Sequence, residues 1–252
     1  MAKLNRLDQI IDYLKYHNLV TVDELVIATE ASAATIRRDL IKLDKQGVIN
    51  RTHGGVTLNR FIPNQPTTHE KLHRNYNEKQ RIADFAMQMI KPGNSIALDA
   101  GTTTLEIAKR ITQIPLRIIT SDLRIALFLS EFKQIEVTII GGKVDDSSQS
   151  CIGEHGRSLL RQINPDIAFI SCNSWSINKG VTAPTEDKAL IKASFAEKAD
   201  KVVLVADSSK YNCYSLYTAI PLPKFTDIVT DNQLDSEAKN LMMNQNFKLH
   251  LV

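Results

Sequence analysis

From Glu78 to the end of the chain, short apolar runs alternate with amphipathic helical stretches, and this alternation leaves few architectures open. Residues 95–98, 116–120, 135–140, 167–170 and 202–205 are apolar runs of strand length, the central ones as in strands covered on both faces. Residues 227–230 and 247–252 read as outer strands. Helices are predicted over 78–90, 104–111, 122–131, 153–161, 186–198 and 235–244. Strands separated by helices build an α/β domain with a mainly parallel sheet. A chain of 252 residues that is 43 % hydrophobic can bury such a core and still carry a smaller domain.

The smaller domain is the front of the chain. Residues 3–17 read as a helix with Leu7, Ile10, Ile11 and Leu14 on one stripe. Thr21 and Glu24 have capping-box spacing and open a second, short helix. A third helix is predicted from the N-cap Ser32 to Gln46, with Gly47 as its stop. At about 100° per residue, Ile36, Leu40 and Leu43 share one arc, and Arg38, Lys42 and Lys45 take the opposite one with Arg37 beside them. Two strand-like pieces around His53-Gly54-Gly55 make a hairpin. Three helices and a hairpin in sixty residues form a winged helix-turn-helix, whose third helix enters a DNA major groove. Ser32, Thr35, Arg37, Arg38 and Lys42 are the candidate contacts, with Arg51 and His53 on the hairpin near the backbone or minor groove. Residues 1–60 carry nine Lys/Arg against seven Asp/Glu, so any footprint on DNA is a local face.

The expected division is 1–58 for the DNA-binding domain, 59–77 for a linker without an apolar period, and 78–252 for the α/β domain. His69 and His73 stand at i, i+4 in that linker with no third ligand in view, so no metal site is expected. Cys151, Cys172 and Cys213 lack C-x-x-C pairing, and free thiols fit a reducing cytoplasm. The first residues lack a signal-peptide apolar segment, and no apolar run approaches the ~18 residues of a membrane span.

Chemistry is expected where strands of the α/β domain hand over to helices, since such sheets bind ligands at the carboxyl ends of their strands. Asp99-Ala100-Gly101-Thr102-Thr103-Thr104 offers hydroxyls and free N–H groups to an anion, with Asp99 able to accept from sugar hydroxyls; it also fits a plain strand-to-helix turn. Ser121-Asp122 and Gly141-Gly142 follow two further strands, and those glycines also fit a simple bend. Lys210, in Ala206-Asp207-Ser208-Ser209-Lys210, is either a phosphate or carboxylate ligand or a surface lysine. Trp175 either stacks on a ligand ring or packs in the core.

Arg6, Ile10 and Leu14, Ser32, the run Thr35-Ile36-Arg37-Arg38-Asp39-Leu40 and Gly54-Gly55 together resemble the DeoR family of bacterial transcription regulators. The resemblance extends over the loops 99–104 and 206–210, and so over nearly the whole chain. It implies sequence-specific binding of a double-stranded DNA operator and a sensor domain similar to ribose-5-phosphate isomerases and, more distantly, CoA transferases. It also implies a phosphorylated sugar or related metabolite as effector and no cofactor. The residues it assigns to the effector are Asp99, Gly101, Thr102, Thr103, Thr104 and Lys210, with Glu186 in the segment similar to the one that supplies the isomerase base. The chain departs from these patterns at three places. Ser171-Cys172-Asn173 stands where the isomerases have paired acids, Asp145 where many relatives have arginine, and Lys188 where they often have an acid. A site without that acidic pair binds a sugar without turning it over. The chain is therefore read as a DNA-binding regulator, a repressor of a carbohydrate catabolism operon, acting as a dimer or tetramer. Activation of the same operon, or isomerase-like catalysis, are the alternatives.

Overall fold

The structure is a computed structural model and describes residues 5–17, 19–46, 48–52, 54–62, 65–243 and 245–252. The chain divides into two compact units, Met1–Arg60 and Phe61–Val252.

The first unit is three helices and a hairpin. Helix α1 (Arg6–Tyr16) starts at Asn5, whose side chain accepts from the Leu7 N–H. Helix α2 (Val22–Thr29) has the full capping box: the Thr21 N–H donates to Glu24 at 2.7 Å, and the Glu24 N–H donates to Thr21 Oγ1 at 3.3 Å. Helix α3 (Ala33–Lys45) is capped by Ser32. Strands β1 (Ile49–Thr52) and β2 (Gly55–Leu58) pair antiparallel from Ile49–Leu58 to Thr52–Gly55. Val20, between α1 and α2, exchanges both backbone hydrogen bonds with Val56 at 2.8 and 2.9 Å, which ties the wing to the helices. A Cβ on Gly55 would lie 2.4 Å from the Val20 carbonyl oxygen, so this close approach requires glycine. Ile10, Leu14, Val20, Leu25, Ile36, Leu40, Leu43, Ile49 and Val56 form the buried core. The predicted helix stop at Gly47 and the wing residue His53 lie outside the described residues.

The second unit opens with helix α4 (Thr68–Leu72) and helix α5 (Tyr76–Met87). Strand β3 (Ser95–Leu98), helix α6 (Thr102–Arg110), strand β4 (Leu116–Thr120), helix α7 (Leu123–Leu129) and strand β5 (Ile135–Ile139) follow. A small hairpin, β6 (Lys143–Asp145) with β7 (Ser150–Ile152), leads into helix α8 (Glu154–Leu160) and strand β8 (Ile167–Ile170). Then come β9 (Trp175–Ser176), β10 (Gly180–Ala183), helix α9 (Glu186–Glu197), β11 (Lys201–Val205), β12 (Tyr217–Ile220), β13 (Asp227–Thr230), α10 (Ser236–Met243) and β14 (Lys248–Leu251).

Seven strands make one all-parallel sheet in the order β14-β13-β11-β8-β3-β4-β5. Alternate side chains of each strand enter different cores. Ile96, Leu98, Ile118, Phe169, Val203 and Val205 pack with α5, α6 and α7, whereas Ala97, Ile119, Ile170 and Leu204 pack with α8, α9 and α10. The sheet is thus the middle of three layers. The order reverses between β3 and β8, so the two loops leaving those strands diverge and open a crevice.

The expected linker over 59–77 is not what forms from residue 61 on. The Ile62 N–H donates to the Tyr214 carbonyl at 2.7 Å, the Phe61 and Tyr214 rings lie 5.5 Å apart, and the Thr68 N–H donates to the Ser147 carbonyl at 2.9 Å. Thr67 and Glu70 cap α4 reciprocally. The segment has little apolar content, but its backbone is tied down by partners far along the chain. The small antiparallel sheet β12-β10-β9 and the β6-β7 hairpin were not foreseen either, because their pieces are two to four residues long.

Candidate functional site

Two surfaces carry the candidate residues. On α3, Ile36, Leu40 and Leu43 are buried, and Arg37, Arg38 and Lys42 are exposed on the other side. Among the described residues none of these three cations has a hydrogen-bond or ion-pair partner. The acid between them and the core, Asp39, is taken by Arg6 of α1 at 2.6 Å, so it does not neutralise the cationic face. The Ser32 hydroxyl accepts from the Thr35 N–H at 3.3 Å and bonds the Thr35 hydroxyl at 2.9 Å, so both residues build the helix start. Arg37 and Arg51 line one hollow with Thr21 and Thr52, which places the wing cation beside the helix cations.

The second surface is the crevice at the reversal of strand order. It is lined by the loop after β3 (Asp99, Gly101, Thr102, Thr103), Ser121 after β4, Ser171 and Cys172 after β8, and Asp207 and Lys210 after β11. Helix α6 begins two residues earlier than predicted, at Thr102. Thr102 and Thr103 therefore sit in its first turn, where free N–H groups and the helix dipole favour an anion. Thr104 is fully buried and donates to the Asp99 and Gly101 carbonyls at 2.7 and 2.9 Å, so it holds the loop and leaves the ligand to its neighbours. The φ of Gly101 is extended, and its role is steric: a Cβ there would lie 2.1 Å from Ser171 Oγ. Gly101→Ala is expected to destabilise the protein by about 1–3 kcal/mol through this overlap, with recovery in Gly101→Ala/Ser171→Gly, measured by chemical denaturation.

Several predicted residues stand outside the crevice. Asp122 caps α7, accepting from the Arg124 and Ile125 N–H groups, and burial pushes its carboxyl up. Gly141 and Gly142 form the bend before β6; a Cβ on Gly142 would lie 2.5 Å from the Ile152 carbonyl oxygen. Glu186 is exposed in the first turn of α9 and is not among the crevice residues. Trp175 is fully buried and meets Tyr211 edge-on at 5.0 Å, so packing is its role.

Apart from Lys210, the sequence reading missed the cations of the crevice. Lys188 and Lys192, one turn apart on α9, both line the crevice, as do Lys71, Arg74 and Lys79 from the α4–α5 segment. The signal for the first pair was their i, i+4 spacing, and for the others the Thr67-x-x-Glu70 capping box. Lys192 donates to the Asp99 carboxylate and, at 2.8 Å, to the Ser171 carbonyl. Asp99 also accepts from the Ser171 N–H at 3.1 Å. Lys188 pairs with Asp145 at 2.8 Å and donates to Ser147 Oγ at 2.8 Å. The two charge departures noted in the sequence are thus the two halves of one ion pair. Burial pushes the Asp145 carboxyl up, but the Lys188 ammonium and the Ser148 and Ser147 hydroxyls outweigh it and hold it well below the usual range. Burial pushes the Cys172 thiol up to about 12, so it is neutral and poorly nucleophilic at pH 7.

An exposed cationic helix on a winged helix-turn-helix, joined in one chain to an α/β unit with a cationic crevice, defines a DNA-binding regulator that senses a small molecule. Residues 6–60 match the DeoR-like helix-turn-helix domain, and residues 74–232 match the DeoR C terminal sensor domain. The chain is 34 % identical over 250 residues to the uncharacterized HTH-type transcriptional regulator YgbI of Escherichia coli (strain K12), covering 99 % of this chain and 98 % of that one. It is 31 % identical over 239 residues to the HTH-type transcriptional repressor GlcR of Bacillus subtilis (strain 168), covering 92 % and 89 %. Among solved structures it matches ribose 5-phosphate isomerase A from Methanocaldococcus jannaschii at 16 % identity and a TM-score of 0.40, over 54 % of this chain and 55 % of that one. The chain belongs to the DeoR family of transcriptional regulators. Among the described residues no helix is long and apolar enough to cross a membrane.

Proposed function

We propose that this protein represses a carbohydrate catabolism operon, that α3 reads the operator's major groove through Arg37, Arg38 and Lys42, and that a phosphorylated sugar or related metabolite in the crevice controls operator affinity. The observation that carries the effector class is the crevice itself: six Lys and Arg side chains and the first turn of α6 converge on it, against the carboxylates Asp99 and Asp207. Both carboxylates are engaged, Asp99 by Lys192 and Asp207 by the Asn75 amide at 2.7 Å and by the Ser209 hydroxyl. Neither is placed as a free base, which supports binding over isomerisation. Repression is supported by the name of the GlcR relative. Winged-helix modules act on paired half-sites, and the α/β unit exposes Leu127 on α7 and Ile139 on the edge strand β5, which supports assembly into a dimer or tetramer through that unit.

The effector shifts operator affinity only if it binds one conformational state more tightly than the other. In a thermal-shift screen against phosphorylated sugars, sugar acids and unphosphorylated sugars, a phosphorylated compound is expected to raise the melting temperature. One present at a hundred times its Kd stabilises by about 2.7 kcal/mol. The same compound is expected to change operator affinity in a titration with labelled duplex, and light scattering is expected to give at least twice the chain mass. A hit confined to neutral sugars refutes the effector class.

A further inference from the structure

Within that reading of the crevice as the effector site, the cations do not balance, and the imbalance is concentrated on one segment. Lys192 is neutralised by Asp99 and Lys188 by Asp145. Lys79 donates to the carbonyls of Lys71 and Arg74 and lies within the field of Asp207. That leaves Lys71, Arg74 and Lys210, whose charged side chains have no hydrogen-bond or ion-pair partner among the described residues. A phosphate monoester dianion offsets two of these three charges. The two half-buried cations, Lys71 and Lys210, then have their counter-charges, and the exposed Arg74 is left to hold a further anionic group on the ligand.

A second observation points to the same place. The side-chain amide Nε2 of Gln65 is buried with no hydrogen-bond partner among the described residues, and Gln65 lines the same crevice. Buried donors of this kind are normally satisfied, and a ligand oxygen in the crevice would satisfy this one. Gln65 and Lys71 lie between the two family matches, which end at residue 60 and resume at residue 74.

We propose that the segment from Gln65 to Arg74 is one wall of the effector site, and that the effector is a phosphate monoester that also carries a carboxylate, held by Lys71 and Arg74 with Gln65. The family loops at Thr102, Thr103 and Lys210 face the rest of the ligand. Lys71 supplies a titratable reporter. The groups acting on it are Lys188 and Lys192 of α9, Lys210 after β11, and the opposing Asp122 at the start of α7. Burial first, and then the three lysines, lower its pKa to about 8. A bound carboxylate favours the charged ammonium, so binding near pH 8 takes up a proton, and affinity falls as pH rises through 8.

The test is calorimetric titration of the full chain with matched pairs: 3-phosphoglycerate against glyceraldehyde 3-phosphate, 5-phosphoribonate against ribose 5-phosphate, and 6-phosphogluconate against glucose 6-phosphate, with fructose 1,6-bisphosphate alongside. At one chain length the phospho-acid is expected to bind about tenfold or more tighter than its aldose partner, the scale of one charge-assisted contact. Lys71→Gln is expected to remove most of that margin and the proton uptake at pH 8. Arg74→Gln, at an exposed position, gives the same loss of margin with no folding risk. Equal binding of acid and aldose, or a bisphosphate that outranks every acid, overturns the carboxylate while leaving the sugar-phosphate reading standing. An acid preference that survives in both variants overturns the role of the segment. Failure of every phosphorylated compound to bind overturns the effector reading itself.

Discussion

Asp99→Ala is expected to cost about 3 kcal/mol of unfolding free energy, at the lower end of the range for removing one partner of a buried ion pair. The Lys192 side chain is 10 % exposed and that of Asp99 2 %. Without the carboxylate, the ammonium keeps, among the described residues, only the Ser171 carbonyl, in a crevice that already holds Lys71, Lys188 and Lys210. The crevice admits water, which is why the lower end applies. The Ser171 N–H loses its acceptor as well, and Ser171 is what packs against Gly101. Removing both charges in Asp99→Ala/Lys192→Met is expected to recover more than half of the loss, because no unpaired charge is left behind. Urea midpoints at constant slope measure both. Equal losses in the single and double variants contradict the account, since the pair itself is then not what the crevice depends on.

Arg38→Ala is expected to weaken operator binding about tenfold to a hundredfold, the range for one bidentate arginine–guanine contact of ~1–3 kcal/mol. The fold should not notice. Arg38 is exposed and unpartnered among the described residues, and substitutions at such positions stay within about 0.5 kcal/mol. Fluorescence anisotropy at two salt concentrations separates the ways the residue can act. If Arg38 reads a base, discrimination at one operator position relaxes and the salt slope is kept. If it holds a phosphate, affinity drops for all duplexes and the slope falls by about one. Unchanged affinity at matched salt removes α3 from the interface. Asp39→Ala is the control within the same helix. It frees Arg6 and is expected to cost at most about 1 kcal/mol of stability, because the bridge is largely at the surface.

Reading the sheet from sequence succeeded because its central strands are buried on both faces. Apolar runs such as 167–170 and 202–205 have no other comfortable environment. The capping signals at Thr21 and Ser32 were equally legible, since a cap is satisfied by residues within one turn. The crevice was legible only in part. Thr102 to Thr104 read as three equivalent hydroxyls, and the start of α6 decided that two face the cavity and one turns back to the backbone. On α9 the sequence pointed to Glu186, whereas the rotation of the helix against the sheet brings Lys188 and Lys192 to the cavity. Residues 61–77 looked like a tether because their stabilising partners, Tyr214 and Ser147, are far away in sequence.

What the residues alone determined, then, is what depends on neighbours a few positions apart: the helix periods, the caps, the apolar strands, the cationic face of α3, and the motifs that place the chain in its family. What tertiary structure decided is which charges face one another. Asp145 and Lys188, or Asp99 and Lys192, are separated by 43 and 93 residues and meet only after the sheet has ordered its strands. Whether a lysine is neutralised or left open to a ligand follows from that meeting, because Coulombic attraction depends on distance through space and is indifferent to distance along the chain.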